Sequence, residues 1–197
     1  MKNFIQISAI ALLILTACKA EAPQSTDADP PKVETAVVDQ TRAAEIKQAA
    51  MDLFAYQDGK WNARWDWYGP DGTIAGTTQG REEFSPLVDA HSQMLYTEVP
   101  AQNQTSYAML TYNEVEQKII FLNAGPKGDY WIMRMDPETG TMISDPHKNP
   151  DGSEMIIKFT TLRQVADEID VQMETSTDNG QTWTLAFKQF MTRAKDE

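Results

Sequence analysis

The 197-residue sequence predicts an all-β domain, a single antiparallel up-and-down β-barrel of about nine strands with a short N-terminal helix. Three observations lead there. Apolar and polar residues alternate with period two through most of the chain beyond Gly59. Turn signals such as Gly69-Pro70-Asp71-Gly72 and Asp151-Gly152 interrupt that alternation roughly every 8 to 15 residues. Helical spacing occurs in Thr41 to Phe54 and, more weakly, in Glu82 to Ala90. Strands with one solvated face must close or stack to bury the other, and a meander of hairpins favours closure. The competing arrangement is an α+β cone with a curved sheet. The early helix and a Gly80-Arg81-Glu82 turn suit that cone, but about nine late strands do not.

At the N terminus, Lys2 precedes a mostly apolar run from Phe4 to Leu15, broken only by Gln6 and Ser8. The run is shorter than the roughly 20 residues needed to span a bilayer, and its order of charge then apolar stretch is that of a secretory signal. It ends in Leu15-Thr16-Ala17-Cys18, which resembles the bacterial lipobox. The resemblance implies a signal peptide over residues 1–17, cleavage before Cys18 and a lipid on its thiol; the other reading is a free cysteine in an ordinary signal peptide or short anchor. Acyl chains contribute about 0.8 kcal/mol per buried methylene, so several of them anchor a protein without a transmembrane helix. Lys19 rather than aspartate after the cysteine resembles the sorting signal for the outer membrane. The expected location is therefore the cell envelope, on the outer membrane facing the periplasm.

Cys18 is the sole cysteine, so no internal disulfide can form. Without residues 1–17 the chain keeps 16 basic and 29 acidic side chains, a net charge near −13. Such a surface repels nucleic acid and anionic head groups. Residues 18–40, with Pro23, Pro30 and Pro31 among small polar residues, carry too little apolar surface for a core and read as a flexible tether. The folded domain is expected over residues 41–197. Ala43, Ile46, Ala50, Leu53 and Phe54 recur at helical spacing and give it one short amphipathic helix.

The strands follow. Trp61, Ala63, Trp65 and Trp67 share one face of the first; Trp131, Met133 and Met135 share a face before Asp136-Pro137-Glu138-Thr139-Gly140; Met155, Ile157 and Phe159 share another. The clearest alternation is Ile169, Val171, Met173 and Thr175 against Asp170, Gln172 and Glu174.

Gly59-Lys60-Trp61 lies between the helix and the first strand, and Arg193 lies at the end of the last. This arrangement resembles the calycin signature of lipocalins, in which a Gly-x-Trp on the first strand is covered by a basic side chain from the last. More broadly, the Trp-rich first strand and the closing hairpin resemble uncharacterised bacterial lipocalin-like domains over residues 50 to 193. The departure is Phe190-Met191-Thr192-Arg193, where those domains end in Tyr-x-Arg or similar. The resemblance implies a barrel with an apolar interior, a structural role for Gly59, Trp61 and Arg193, and no particular reaction.

Ser176-Thr177-Asp178-Asn179-Gly180-Gln181-Thr182-Trp183 matches the Asp-box, Ser-x-Asp-x-Gly-x-Thr-Trp, of sialidase propellers. Propellers repeat the motif in blade after blade, whereas this chain has one copy. It reads as a hairpin device in which Asp178 caps the turn, Gly180 supplies positive φ and Trp183 packs beneath.

Candidate chemistry is sparse. With only His91 and His147, a multi-histidine metal site is excluded, and no metal site is expected. His91, near Asp89 and Ser92, could act as a base or an axial haem ligand, but an ordinary strand-edge role is favoured; His147 sits in a proline-bracketed turn. Nothing in the sequence selects haem, so no cofactor is expected. Glu82-Glu83 and Asp167-Glu168 fall beside turns or a helix start, where charge is common. Asp66, among tryptophans, alternates onto the opposite face, where Arg64 can pair with it. No nucleophile, base and orienting group can be assembled, so catalytic residues are not assigned.

Met109, Trp131, Met133, Met135 and Met173 are candidate ligand-lining residues, because a polarizable methionine wall adapts to varied apolar shapes; plain core filling is the competing role. The first functional expectation is a non-catalytic periplasmic module for a small apolar or amphipathic ligand. The second is an envelope interaction or structural lipoprotein with a solid barrel core and an unknown protein partner.

Overall fold

One helix and eleven strands make up the computed structural model, which describes residues 40–125, 130–148 and 152–195. The signal segment, Cys18 and the tether lie outside the described residues. Helix α1 spans Gln40–Gln57. The strands are β1 Gly59–Tyr68, β2 Ile74–Pro86, β3 Ser92–Val99, β4 Gln104–Asn113, β5 Lys118–Ala124 and β6 Tyr130–Asp136. They continue as β7 Thr141–Ser144, β8 His147–Lys148, β9 Glu154–Val165, β10 Glu168–Ser176 and β11 Thr184–Arg193.

Neighbours from β1 to β7 pair antiparallel in chain order, β7 pairs with β9, β9 with β10, β10 with β11, and β11 returns to β1. The sheet is thus a closed antiparallel barrel of ten strands. The tenth is the four-residue β7, too short to carry a readable alternation. β8 is a two-residue ribbon beside the start of β9, with His147 opposite Met155. Closure leaves no room for the cone arrangement. Val37–Glu197 forms one compact unit whose ring needs no strand from elsewhere, so the barrel has what it requires to fold by itself.

The weak helical spacing at Glu82 to Ala90 does not become an α-helix. Glu82 and Phe84 pair with Thr97 and Leu95 across β2 and β3, and only Val88–Ala90 coil into a 3-10 turn after Pro86. The ladder and the proline override helical propensity. Nor is Gly80-Arg81-Glu82 a turn: these residues lie inside β2. A Cβ on Gly80 would stand 2.0 Å from the Glu98 carbonyl oxygen, so the adjoining backbone occupies the space a side chain would need.

Period two sets the core. Trp61, Ala63 and Trp65 on β1, Ala108, Leu110 and Tyr112 on β4, Met133 and Met135 on β6, and Phe187 and Met191 on β11 are buried. Arg64 and Asp66 take the outer face of β1, 3.3 Å apart, with the Thr77 hydroxyl donating to Asp66 at 2.9 Å.

Helix α1 covers one end of the barrel with Ala50 and Phe54 buried against it. The Phe54 carbonyl accepts from Gln93 Nε2 at 2.5 Å, and Tyr56 donates its hydroxyl to the Glu168 carbonyl at 3.1 Å. Lys47 pairs with Glu114 at 2.6 Å at the β4–β5 turn of the same end. Among the described residues no helix is long and apolar enough to cross a membrane.

Candidate functional site

The closed end is tied by the first and last strands. Trp61 is fully buried on β1 and donates its Nε1–H to the Gln57 carbonyl at 2.7 Å, joining the strand to the last turn of α1. Register places Arg193 directly opposite Trp61. Its guanidinium carbon stands 4.2 Å from the indole centroid, at cation–π distance. Nη1 donates to the Asp58 carbonyl and Nη2 to the Tyr56 carbonyl, both at 2.7 Å, while Nε reaches Asp167 at 3.1 Å. Gly59 has φ +108, and a Cβ there would stand 3.2 Å from Arg193 Nη1, so backbone conformation and space both call for glycine. The structure therefore brings Gly59, Trp61 and Arg193 into one cluster.

Between β10 and β11 the Ser176 to Trp183 segment forms the final hairpin. Ser176 donates its hydroxyl to Asp178 at 2.7 Å and accepts from the Gly180 N–H at 2.8 Å. Asp178 also accepts from the Thr182 N–H at 2.8 Å and the Thr182 hydroxyl at 2.6 Å. These donors, the Thr182 hydroxyl first, hold the Asp178 carboxyl at about 2, well below its ordinary value. Gly180 has φ +83, and Lys158 Nζ lies 4.2 Å from the Trp183 ring. Every partner is internal to the turn or its flank, which is a structural arrangement.

The barrel interior is hollow, with a cavity of about 450 Å³. Trp131, Met133, Met135 and Met173 line it, joined by Trp65, Trp67, Met142, Met155 and Phe159. Met109 does not: strand alternation points Ala108 and Leu110 inward and leaves Met109 on the outer face of β4, 37% exposed. Rings form part of the wall, with Trp67 and Phe159 each edge-on to Phe187 at 5.0 and 5.8 Å. The exposed Gln102 and Gln104, after β3 and at the start of β4, also line the cavity and connect it to solvent away from α1.

One cavity residue differs in kind. Glu82 is buried and faces inward from β2. Burial pushes its carboxyl up to about 7; Gln189 and Thr97 beside it pull weakly the other way. Thr97 donates to it at 3.3 Å. Gln189 approaches it from β11, yet the Gln189 Nε2 group finds no acceptor at hydrogen-bonding geometry, and Gln57 Oε1 likewise finds no donor. Both amides line the cavity and are only 6% and 9% exposed. A buried polar atom left unpaired costs about 1–3 kcal/mol, so both amides gain from any hydrogen-bonding partner, water included, that enters the cavity.

Sequence reading placed Glu82 beside a turn and so missed it. The signal was present: Phe84 points into the core, and period two sends Glu82 to the same face.

Neither His91 nor His147 lines the cavity. His147 instead stacks on Trp131, ring centroids 3.9 Å apart. Among the described residues no group of three histidine, cysteine or carboxylate side chains is placed to hold a metal ion. The sequence matches no protein-family profile and no curated protein.

Proposed function

We propose that the chain is a membrane-anchored, non-catalytic binding module of the bacterial cell envelope that holds a small apolar or amphipathic molecule inside a lipocalin-like barrel. The observation that carries this reading is the cavity of about 450 Å³. Its volume falls in the roughly 300–1,000 Å³ range of small-molecule sites, and its walls are mainly apolar, with methionine, phenylalanine and tryptophan prominent among them. The kinship to calycins is supported by Arg193 lying over Trp61 beside Gly59. Anchoring through Cys18, at the outer membrane facing the periplasm, is supported by the lipobox and Lys19. Among the described residues Glu82 is the one carboxyl that lines the cavity, and with only the Thr97 hydroxyl and Gln189 beside it and no base or cation to activate that hydroxyl, its role in this reading is recognition rather than bond breaking.

The test is native mass spectrometry of the purified barrel unit, residues 37–197, with extraction of whatever co-purifies. A stoichiometric apolar molecule, or saturable binding of a fluorescent apolar probe that Met133→Trp blocks, supports the reading. An empty barrel that binds no probe overturns it in favour of an interaction protein working through its acidic outer surface.

A further inference from the structure

The cavity's electrostatics narrow the class of ligand. Among the described residues that line it, Glu82 is the sole ionisable side chain; no lysine, arginine or histidine points in. Arg81, the neighbouring cation in the chain, lies on the outer face of β2 and pairs with Glu98 at 2.6 Å, and Arg193 donates to Asp58, Tyr56 and Asp167 at the closed end. The groups that meet Glu82 from neighbouring elements are Thr97 on β3 and Gln189 on β11, with Trp61 opposite it on β1; none of them carries a charge. The rings of Trp65, Trp67 and Trp131 line the same cavity, and aromatic faces attract cations and not anions. The vacant acceptor of Gln57 adds a hydrogen-bonding site suited to an N–H donor.

We infer that the occupant is a cationic amphiphile, a protonated amine on an apolar body, seated with its ammonium at Glu82 and Gln57 and its hydrophobic part against Trp131, Met133 and Met173. This deepens the binding reading above and rests on it. An ammonium there gains a charge-assisted hydrogen bond in a water-poor interior. An anionic head would meet Glu82 with like charge, and a neutral one would leave the carboxylate unpaired. Binding draws the proton off Glu82, so affinity for the amine rises with pH while affinity for a neutral homologue does not.

Decylamine, decanol and decanoate, each below its micelle concentration, separate these cases by displacement of a neutral apolar fluorophore from the barrel unit. Decylamine stays protonated between about pH 5.5 and about pH 8, so changes across that range report the protein. Decylamine is expected to bind at least about tenfold more tightly than decanol near pH 8, with the preference shrinking near pH 5.5. Glu82→Gln should erase the preference and keep decanol binding. If that variant does not fold, the pH series on the unaltered protein decides the matter. Decanol binding as tightly as decylamine, or decanoate binding tightest, overturns the amine assignment and leaves the apolar binding module standing. Failure of all three, together with the fluorophore, removes both.

Discussion

The Arg193 guanidinium lies 4.2 Å from the Trp61 ring centroid, and two of its nitrogens donate to carbonyls at Tyr56 and Asp58. One side chain from the last strand therefore fixes the indole of the first strand and the end of α1 together. Arg193→Ala removes a cation–π contact worth up to roughly 2 kcal/mol and orphans two carbonyls. The expected loss is roughly 3 kcal/mol in urea unfolding. Arg193→Lys keeps the charge over the ring but lacks the fork that reaches both carbonyls, so it should lose about half as much.

Glu82 gives the fold a pH dependence of defined sign. Its carboxyl titrates at about 7 in the folded protein against an ordinary 4.5, so the native state holds the extra proton between those values. The neutral form costs little below pH 4.5. As pH rises from about 4.5 through about 7 the protein loses stability, up to roughly 3 kcal/mol from this group at 1.36 kcal/mol per unit, and the loss levels off above that window. Glu82→Gln should remove that slope, leaving the variant more stable than the parent near pH 8 in denaturant titrations and little different near pH 4.

Two glycines of β2 should respond oppositely to alanine. At Gly80 the new methyl collides with the Glu98 carbonyl backbone, which cannot swing aside, so Gly80→Ala should cost roughly 3 kcal/mol or prevent folding. At Gly76 nothing lies within 4 Å, and Gly76→Ala should be neutral or stabilising by up to roughly 1 kcal/mol through the unfolded chain. Thermal melts of the pair read the difference directly.

Asp178 supplies a second, acid-side dependence. Its carboxyl is lowered to about 2 by Thr182 and Ser176, so the hairpin's contribution is complete above the ordinary carboxylate value and is lost as pH falls toward 2. Asp178→Ala should lower the melting temperature at neutral pH and lose its effect in strong acid. Hydrogen exchange at Gly180 and Thr182 should quicken in the variant, locating the change in the hairpin.

The barrel was readable because one physical signal, alternation with period two, governs both strand formation and burial. Trp61, Met133, Met135 and Met173 could be turned inward on that basis alone. Met109 shows where the signal thins: in Ala108-Met109-Leu110 apolar residues stand on both faces of β4, and only register decides which side is inside. The four-residue β7 is shorter than the period needs to declare itself. Glu82 escaped for a different reason. An acid beside another acid reads as solvated surface, and its burial depends on Trp61, Gln189 and Thr97, which lie 21, 107 and 15 positions away in the chain. The unpaired amides of Gln57 and Gln189 are likewise products of tertiary contact, with no local pattern to announce them.

Ring closure through β9–β10 and β11–β1 gives every strand of the barrel two hydrogen-bonded neighbours. No strand can then peel away at the cost of one ladder; any opening breaks two. The sheet is accordingly a single cooperative unit that melts all at once. Helix α1, which packs Ala50 and Phe54 on the barrel and is tied by side-chain bonds and a surface ion pair but by no ladder, can fray ahead of it, as can the two-residue β8. Early loss of helical signal before loss of the sheet would be the visible trace of this difference in attachment.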